Sequence, residues 1–381
     1  MDGAGAAQGV MPRAQVPARA PDALARLAAA LGPGPFAAVV LFVSPEADIP
    51  ALEAGLSVFG AVPVVGCTTA GEISSAGYVE GEIVAIGLPA ALFAVERLEV
   101  PDLAALDAQD LIGRLIRARA ALARARPGWE TEFAFLMVDG TSLREDALTA
   151  ALGPGLGPVP LFGGSAGDGL RFGRAMVLWG GRFRGGAAVA LMVRSACRVR
   201  VFSLNHLVPT DRRMVVTGAD PSRRIVREIN AEPAAREYAR LLGKDPEQLT
   251  SFTFAAHPVV VRLGGRHHVR AIQRMEPNGD LVFFSAIAEG LVLTLAEPQD
   301  IAAHLEHELA ALGAAGAPAA ILACDCILRR MEAQEKQHYG AVSAILRAHG
   351  VAGFSTYGEQ VNSMHVNQTM TGMAIWAPEA P

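Results

Sequence analysis

Two stretches of the chain match each other, VGCTTAGE at residues 65–72 and AGFSTYGE at residues 352–359. Their surroundings match as well. An apolar run, at 37–43 and 319–323, is followed by a helical pattern, at 49–58 and 329–348, and then by a short strand that ends in the motif. Repetition of both pattern and chemistry predicts two related α/β units, each ending a strand in a hydroxyl-rich turn with one carboxylate. Because α/β proteins often bind ligands at such strand ends, these turns are the first candidate sites.

The composition excludes several classes of protein. The chain has 381 residues, which predicts two domains. Its hydrophobic fraction of 51% is enough for large cores, but no apolar run reaches the roughly 18 residues of a membrane helix. A net charge of −5 without a basic patch argues against nucleic acid as a partner. Four scattered cysteines and the lack of a secretory signal indicate a reducing cytoplasm.

The pattern along the chain predicts a leader and two domains of mixed α/β class. Residues 1–20 are rich in Ala, Gly and Pro and are predicted to form a disordered leader. Antiparallel meanders lie beside helix-crossover units, and strand patterns give way to a helix near 221–230. We therefore predict domains at 21–222 and 223–381. Asn278-Gly279 between two alternating runs predicts a β-hairpin.

A glycine-rich loop is predicted over residues 161–169, and GGSAG at 163–167 fits the nucleophile elbow of serine hydrolases around Ser165. That motif requires a helix directly after the serine, and DGLRFG at 168–173 cannot open one. The glycines are better explained by close approach of the backbone to a ligand or another loop. No pair of residues at a spacing typical of general acid–base catalysis supports another type of enzyme, so we predict that the protein is not an enzyme.

His365 is the most promising histidine for function. It lies six residues after Glu359, in a strand-like run at 365–373 whose alternation places His365 and Asn367 on one polar face. Such a face is either exposed to solvent or the wall of a pocket, where a neutral imidazole could coordinate a haem iron. His257 is a second candidate. No Cys-x-x-Cys-His motif is present, so a haem would be bound without covalent links.

The chain resembles the FIST sensory proteins, which have an N-terminal and a C-terminal FIST domain. The resemblance spans roughly residues 37–375 and rests on GCTTAGE (66–72), FGGSAGD (162–168), NAEPA (230–234) with Tyr238, His257-Pro258, Cys326 with Arg329, YGE (357–359) and HVNQT (365–369). One departure is NAE at 230–232, where relatives carry Asp-Gly before Pro-Ala. We therefore expect a different turn at the start of the C-terminal FIST-type domain.

The resemblance implies a cytoplasmic ligand-sensing module of signal transduction. One branch of the family is similar to haem-binding nitric-oxide sensors that regulate histidine kinases or cyclic-di-GMP enzymes. Membership of that branch implies that His365 ligates the iron of haem b, with His257 as the weaker candidate. It also implies a kinase or cyclic-di-GMP enzyme as a separate partner protein, with no membrane partner, and leaves a homodimer open.

The alternative prediction is a haem-free module that binds an amino acid through the hydroxyl and carboxylate groups of the repeated turns. A serine hydrolase using Ser165 is the least favoured hypothesis. The predicted ligand-binding residues are Cys67, Thr68, Thr69, Glu72, Gly163, Gly164, Ser165, Ser355, Thr356, Tyr357, Glu359 and Asn367.

Overall fold

The strands of the computed structural model, which describes residues 9–263 and 265–378, form four sheets. Three are six-stranded mixed sheets and the fourth is an eight-stranded antiparallel sheet. The predicted α/β class, with mixed sheets, helix crossovers and antiparallel meanders, is confirmed. Among the described residues, no helix combines the length and the apolar character required to cross a membrane.

The chain builds the same unit three times. Each unit has an edge strand, a helix, a pair of parallel strands joined through a helix, a short hairpin and a returning antiparallel strand. The first unit consists of β1 (Arg13–Pro17), α1 (Ala23–Leu31), β2 (Phe36–Val43), α2 (Ile49–Gly55), β3 (Val64–Thr68), β4 (Glu72–Ser74), β5 (Gly77–Val79) and β6 (Glu82–Pro89). The second consists of β7 (Phe93–Val100), α3 (Ala108–Ala125), β8 (Thr131–Asp139), α4 (Glu145–Leu156), β9 (Leu161–Ala166), β10 (Val177–Trp179), β11 (Arg182–Arg184) and β12 (Ala188–Ser195).

The third unit is interrupted after its edge strand, β13 (Arg198–Leu204), by an insertion that forms the antiparallel sheet. The insertion contains β14 (Leu207–Asp220), β15 (Ile225–Ile229), β16 (Glu232–Pro233), α5 (Ala234–Leu242), α6 (Ser251–Ala256), β17 (Val259–Leu263), β18 (Arg266–Arg270), β19 (Ile272–Met275), β20 (Leu281–Phe283) and β21 (Val292–Pro298). The unit resumes with α7 (Ile301–Leu312), β22 (Ala320–Cys326), α8 (Ile327–Glu335), α9 (Tyr339–Ala348), β23 (Val351–Thr356), β24 (Glu359–Val361), β25 (Met364–Val366) and β26 (Met370–Trp376). The predicted hairpin at Asn278-Gly279 is confirmed as β19–β20.

Each unit places its short hairpin on the sheet of another unit. The strand orders are β1-β6-β2-β3-β10-β11, β7-β12-β8-β9-β24-β25 and β13-β26-β22-β23-β4-β5. The first unit therefore completes the third sheet, the third completes the second, and the second completes the first. This cyclic exchange ties both ends of the sequence into the same body.

The three mixed sheets share one apolar core. Their central strands are covered on both faces, which explains continuous apolar runs such as that of β2. Phe42 stacks on Phe354, with ring centroids 4.6 Å apart, and meets Phe135 edge-on at 6.3 Å. Since these three side chains come from three different units, the core fixes the units relative to one another.

A glycine at the same register position marks each unit. In the three parallel pairs, the glycines and the residues opposite them are Gly66 with Leu41, Gly163 with Leu136, and Gly353 with Ala323. A Cβ on any of these glycines would collide with the carbonyl oxygen of the residue opposite. The glycine-rich stretch at 161–169 is therefore mainly the strand β9, rather than the predicted loop, and it is a third copy of the repeated motif.

Three further predictions are corrected. The disordered leader predicted for residues 1–20 is wrong for Arg13–Pro17, because β1 pairs with β6 and buries Val16, while residues 1–8 lie outside the described residues. The helix predicted at 329–348 is divided into α8 and α9 at Gln337, which has a φ of 60°. The strand predicted at 365–373 is divided into β25 and β26 at Gln368, which has a φ of 50°.

The predicted domain boundary at 222/223 stays a prediction, and strands from both sides of it share sheets.

Candidate functional site

Three equivalent turns, called corners here, follow β3, β9 and β23. Counted from the register glycines, the first corner is residues 69–72 (TAGE), the second is 166–169 (AGDG) and the third is 356–359 (TYGE). Backbone hydrogen bonds join the corners to the neighbouring strand ends in a cycle: Ala70 N to Ser355 O at 2.9 Å, Tyr357 N to Ser165 O at 3.2 Å, and Gly167 N to Thr68 O at 3.0 Å. The two turns predicted from the repeated motif therefore meet in space, together with a third.

The first and third corners use their carboxyl groups in the same way. The Thr69 hydroxyl donates to Glu72, whose other oxygen accepts from the amide of Glu82 at 3.2 Å. In the third corner, the Thr356 hydroxyl donates to Glu359. The other oxygen of Glu359 accepts from the amide of Thr369 at 3.1 Å and from its hydroxyl at 2.7 Å. Each carboxyl group thus satisfies buried donors of its own unit.

Burial shifts the titration of both groups. It raises the pKa of Glu72 to about 7 and that of Glu359 to about 8, against the opposing effect of their hydrogen bonds. Glu359 is therefore mostly protonated at neutral pH, and Glu72 is near its midpoint. The two corners have the same chemistry but differ in what lies next to them.

A cavity of about 450 Å³, called the corner cavity here, lies at the first corner. Gly71 and Glu72 border it from the first corner, and residues 168–171 border it from the second. Arg330 of α8 closes it from the third unit. The volume falls in the usual range for sites that bind small molecules.

Arg330 is an unusual side chain at this cavity, because it is an arginine that is only 1% exposed. Its guanidinium donates to the Val79 carbonyl at 3.2 Å, to Glu80 at 2.9 Å and to the Tyr339 hydroxyl at 3.0 Å. Its Nε is buried without a partner among the described residues. A Cβ on Gly71 would overlap the guanidinium, so the backbone of the first corner and Arg330 lie in direct contact.

Charges of both signs surround the corner cavity. The ionisable side chains lining it are Arg19, Arg171, Arg330, Glu46, Glu72, Glu80 and Asp168. Arg19 and Glu46 form an exposed ion pair at 3.3 Å. This mixture of cations and carboxylates is suited to a ligand that itself carries both charges.

Asp168 organises the loop of the second corner. Its carboxylate accepts from the amides of Gly173 at 3.1 Å and Arg174 at 2.8 Å, and also from the Tyr357 hydroxyl. The Tyr357 oxygen in turn accepts from the amide of Phe172 at 3.1 Å. The loop that forms one wall of the corner cavity is thus attached to the third corner through Tyr357.

The third corner is enclosed, and His365 covers it. His365 is 1% exposed, and burial lowers the pKa of its imidazole, which favours the neutral form. A Cβ on Gly358 would lie 2.9 Å from His365 Nε2 and 2.8 Å from Asn367 Nδ2. The backbone of the corner is therefore in close contact with both side chains.

These surroundings do not fit a haem. An axial histidine needs open, mainly apolar space beyond its free nitrogen. Here, Nε2 has no hydrogen-bond partner among the described residues, but Gly358 occupies the space beside it. On the other side of the ring, the Gln360 amide lies 3.2 Å from Nδ1. We therefore do not propose His365 as a ligand of haem iron.

Ser165 lacks the contacts of a nucleophile. It is fully buried in β9, and the residues after it run as a loop rather than a helix. Its hydroxyl accepts from Gln360 Nε2 at 2.9 Å, and the same amide nitrogen lies next to His365 Nδ1. The amide separates serine from histidine, so the imidazole cannot accept the hydroxyl proton, which counts against the hydrolase hypothesis.

Of the predicted site residues, Glu72 lines the corner cavity and the others take part in buried contacts. The buried set comprises Cys67, Thr68, Thr69, Gly163, Gly164, Ser165, Ser355, Thr356, Tyr357, Glu359, His365 and Asn367. Asn367, for example, accepts from the Ser285 hydroxyl at 2.6 Å. His257 is half-buried at the end of α6, where its carbonyl accepts from the Tyr238 hydroxyl at 2.6 Å.

The sequence did not reveal Arg330, Arg171, Arg19, Glu46 or Glu80 as site residues. Arg329 and Arg330 are consecutive in α8 and both are buried. Consecutive residues point about 100° apart on a helix, so no amphipathic pattern predicts burial of both. The only available signal was the pair of arginines inside an otherwise apolar first turn.

Two family models match the chain. The model of the FIST N domain matches residues 37–232, and that of the FIST C domain matches residues 234–362. No curated protein matches the chain. The first match alone covers half of the chain, and the two matches meet close to β16.

Proposed function

Since the chain belongs to the FIST family of sensory domains that bind small ligands, we propose that it senses a free amino acid in the corner cavity. An amino acid is also the ligand of the haem-free module predicted from the sequence. The site proposed here lies in the space beside the first acidic turn rather than in the two acidic turns themselves. The observation that carries the proposal is Arg330, a buried guanidinium with one unpartnered nitrogen at the edge of this cavity.

The charges around the cavity match the two ends of an α-amino acid. Arg171 can donate to a carboxylate, and an arginine is well suited to this because its donors form a planar fork. Arg330 can add a single donor, its Nε, since its other nitrogens already donate within the protein. Glu46 and Glu80, which are partly or largely exposed, can accept from an ammonium group. Asp168 is left out because the loop already uses its carboxylate.

Nitric-oxide sensing through haem receives no support from the surroundings of His365. The signalling partner implied by the resemblance, a histidine kinase or a cyclic-di-GMP enzyme, stays a prediction. A ligand in the corner cavity contacts the second corner, the first corner and α8, so it can bias the arrangement of all three units.

The proposal is tested by thermal unfolding of the protein with each of the twenty proteinogenic amino acids. A ligand at 100 times its dissociation constant stabilises the folded state by about 2.7 kcal/mol, so at least one amino acid should raise the melting temperature by several degrees. The Arg171→Gln variant should weaken binding of that amino acid about tenfold, because it removes one charge-assisted hydrogen bond from an exposed loop.

Arg174→Gln is the matched control, since Arg174 lies in the same exposed loop but does not line the cavity. Its affinity should equal that of the wild type. The proposal fails if no amino acid binds, or if both variants lose affinity equally. A haem absorption band that changes in His365→Ala would instead support the haem prediction.

A further inference from the structure

A second, smaller cavity of about 180 Å³ lies where the inserted antiparallel sheet meets the three-unit body. It is called the junction cavity here. Its walls come from the loop after β8, from the second-corner loop at Phe172, from the residues before β15, from β19–β20 and from Tyr357.

Aromatic rings form one side of the junction cavity. Phe172 stacks on Tyr357 with ring centroids 4.4 Å apart, and Phe284 is tilted against Phe172 at 5.8 Å. An apolar cavity of about 150 Å³ is enough to hold benzene, so this one has room for a single ring with one small substituent. Rings favour this kind of stacked and tilted surrounding.

Arginines form the other side. The described residues that line the cavity include Arg223, Arg224 and Arg274, and no carboxylate. Arg274 is paired with Glu276 at 2.8 Å. Arg224 is paired with Glu145 at 2.5 Å and lies 3.6 Å from Asp146. Among the described residues, Arg223 is therefore the lining arginine without an ion pair, and Arg224 can offer a ligand only its Nε.

Arg224 is held in place but has one donor left. It is 3% exposed, and its guanidinium donates to the Phe284 carbonyl and to Glu145, each at 2.5 Å. Its Nε is buried without a partner among the described residues. A buried donor without an acceptor is costly, so an acceptor supplied by a ligand would be favourable here.

We propose that the junction cavity binds a small organic anion made of one aromatic ring and a carboxylate. The ring packs among Phe172, Phe284 and Tyr357, and the carboxylate accepts from Arg223 and Arg224. Because Tyr357 also holds the loop of the second corner, the occupant contacts the same loop that borders the corner cavity. The site does not depend on what the corner cavity binds.

The experiment uses benzoate as the probe and measures its affinity for the full chain by calorimetric titration. Wild-type protein should bind benzoate, and Arg223→Gln should weaken binding at least about fivefold, because it removes a charge-assisted partner on the exposed side. Arg227→Gln is the matched control, since Arg227 is equally exposed on the adjacent strand and does not line the cavity. Leu143→Trp, at a half-exposed lining residue, should also weaken binding by filling the entrance.

Two further compounds, one neutral and one without a ring, test whether the cavity recognises the charge or the ring of benzoate. Benzyl alcohol should bind much more weakly than benzoate if the arginines recognise charge, and inorganic phosphate should not displace benzoate if the ring is required. The proposal is overturned if benzoate does not bind the wild type, if Arg227→Gln weakens binding as much as Arg223→Gln, or if benzyl alcohol binds as well as benzoate. Displacement by phosphate at equal concentration would overturn the aromatic part.

Discussion

The first and third corners have nearly the same sequence and similar hydrogen bonds, yet Glu72 of the first borders the corner cavity, whereas Glu359 of the third is enclosed. In both, a threonine hydroxyl donates to a glutamate that also accepts from the start of the returning strand. In both, a side chain from elsewhere covers the glycine before the glutamate. That side chain is Arg330 at Gly71 and His365 at Gly358.

The difference between the corners shows that the repeated motif is structural. The motif completes a strand end, and the residue that covers it decides whether a ligand can approach. Arg330 lines the corner cavity and has one buried donor without a partner among the described residues, whereas the imidazole of His365 lies between Gln360 and the backbone of Gly358. The motif alone therefore leads to the turn beside the corner cavity, but it does not reveal Arg330, which contacts that turn.

The largest expected difference between the corners is in their pH dependence. A carboxyl group with a raised pKa in the folded state stabilises the fold fully below its unfolded pKa of about 4.5, and this stabilisation is lost as the pH rises to the folded pKa. The loss is about 1.4 kcal/mol per pH unit for each group. It should end near pH 7 for Glu72 and near pH 8 for Glu359.

Glu359→Gln and Glu72→Gln should each remove their own part of this loss, which urea unfolding at pH 5, 6, 7 and 8 would measure. The glutamine oxygen can accept from the strand amide as the glutamate does, and its NH₂ group can donate to the oxygen of the threonine, whose hydroxyl donates to the glutamate in the wild type. Asp325, Cys324 and Cys326 also lie near Glu359, so the comparison is made as the difference from the wild type at each pH. Between pH 7 and 8, only the Glu359 variant should differ in slope, and equal slopes for both variants there would refute the assignment.

Gly71→Ala should destabilise the protein more than Gly358→Ala. Gly71 has a φ of 128°, which is unfavourable for alanine, and its Cβ would also displace the Arg330 guanidinium. We expect a loss of about 3 kcal/mol for Gly71→Ala and about 2 kcal/mol for Gly358→Ala, where the cost is crowding of His365 and Asn367 without a positive φ. Urea unfolding measures both values, and a larger loss for Gly358→Ala would contradict the comparison.

Tyr357→Phe should loosen the loop of the second corner. The hydroxyl accepts from the amides of Asp168 and Phe172 and donates to Asp168, so its removal should cost about 2 kcal/mol. Hydrogen exchange at residues 168–173 should become faster. Tyr339→Phe is the matched control, because among the described residues the Tyr339 hydroxyl has its hydrogen bond with Arg330, and exchange in that loop should stay unchanged.

Glu80→Gln should have the smallest effect on stability, although it removes a charge next to Arg330. The Glu80 side chain is 70% exposed, and ion pairs of this kind contribute less than about 1 kcal/mol. Urea unfolding should show a change within that limit. A larger loss would mean that the pair is part of the structural support of Arg330.

The sequence predicted the fold class and the two acidic turns, because these follow from apolar periodicity and from a repeat that keeps its side chains. It did not predict that the two turns meet, since this depends on how the units pack against one another. It did not predict the second unit as a copy of the other two, since its corner has Ala166 and Gly169 in place of threonine and glutamate. It also did not predict that a helix would end near Gln337 and a strand near Gln368, because glutamine rarely adopts the left-handed backbone conformation and its presence does not indicate a turn. Arg330 was missed because its burial depends on tertiary contacts with Gly71 and Tyr339.

The exchange of hairpins has a consequence for how this protein can be divided. A fragment ending at residue 232 would leave the free edge of β9 without β24–β25, and its own β4–β5 would have no strand to join. An uncovered edge of this kind invites aggregation. The two family domains are thus not separable modules. Removing any one of the three units would take a hairpin away from the sheet of a second unit and would leave the hairpin of the remaining unit without a strand to pair with.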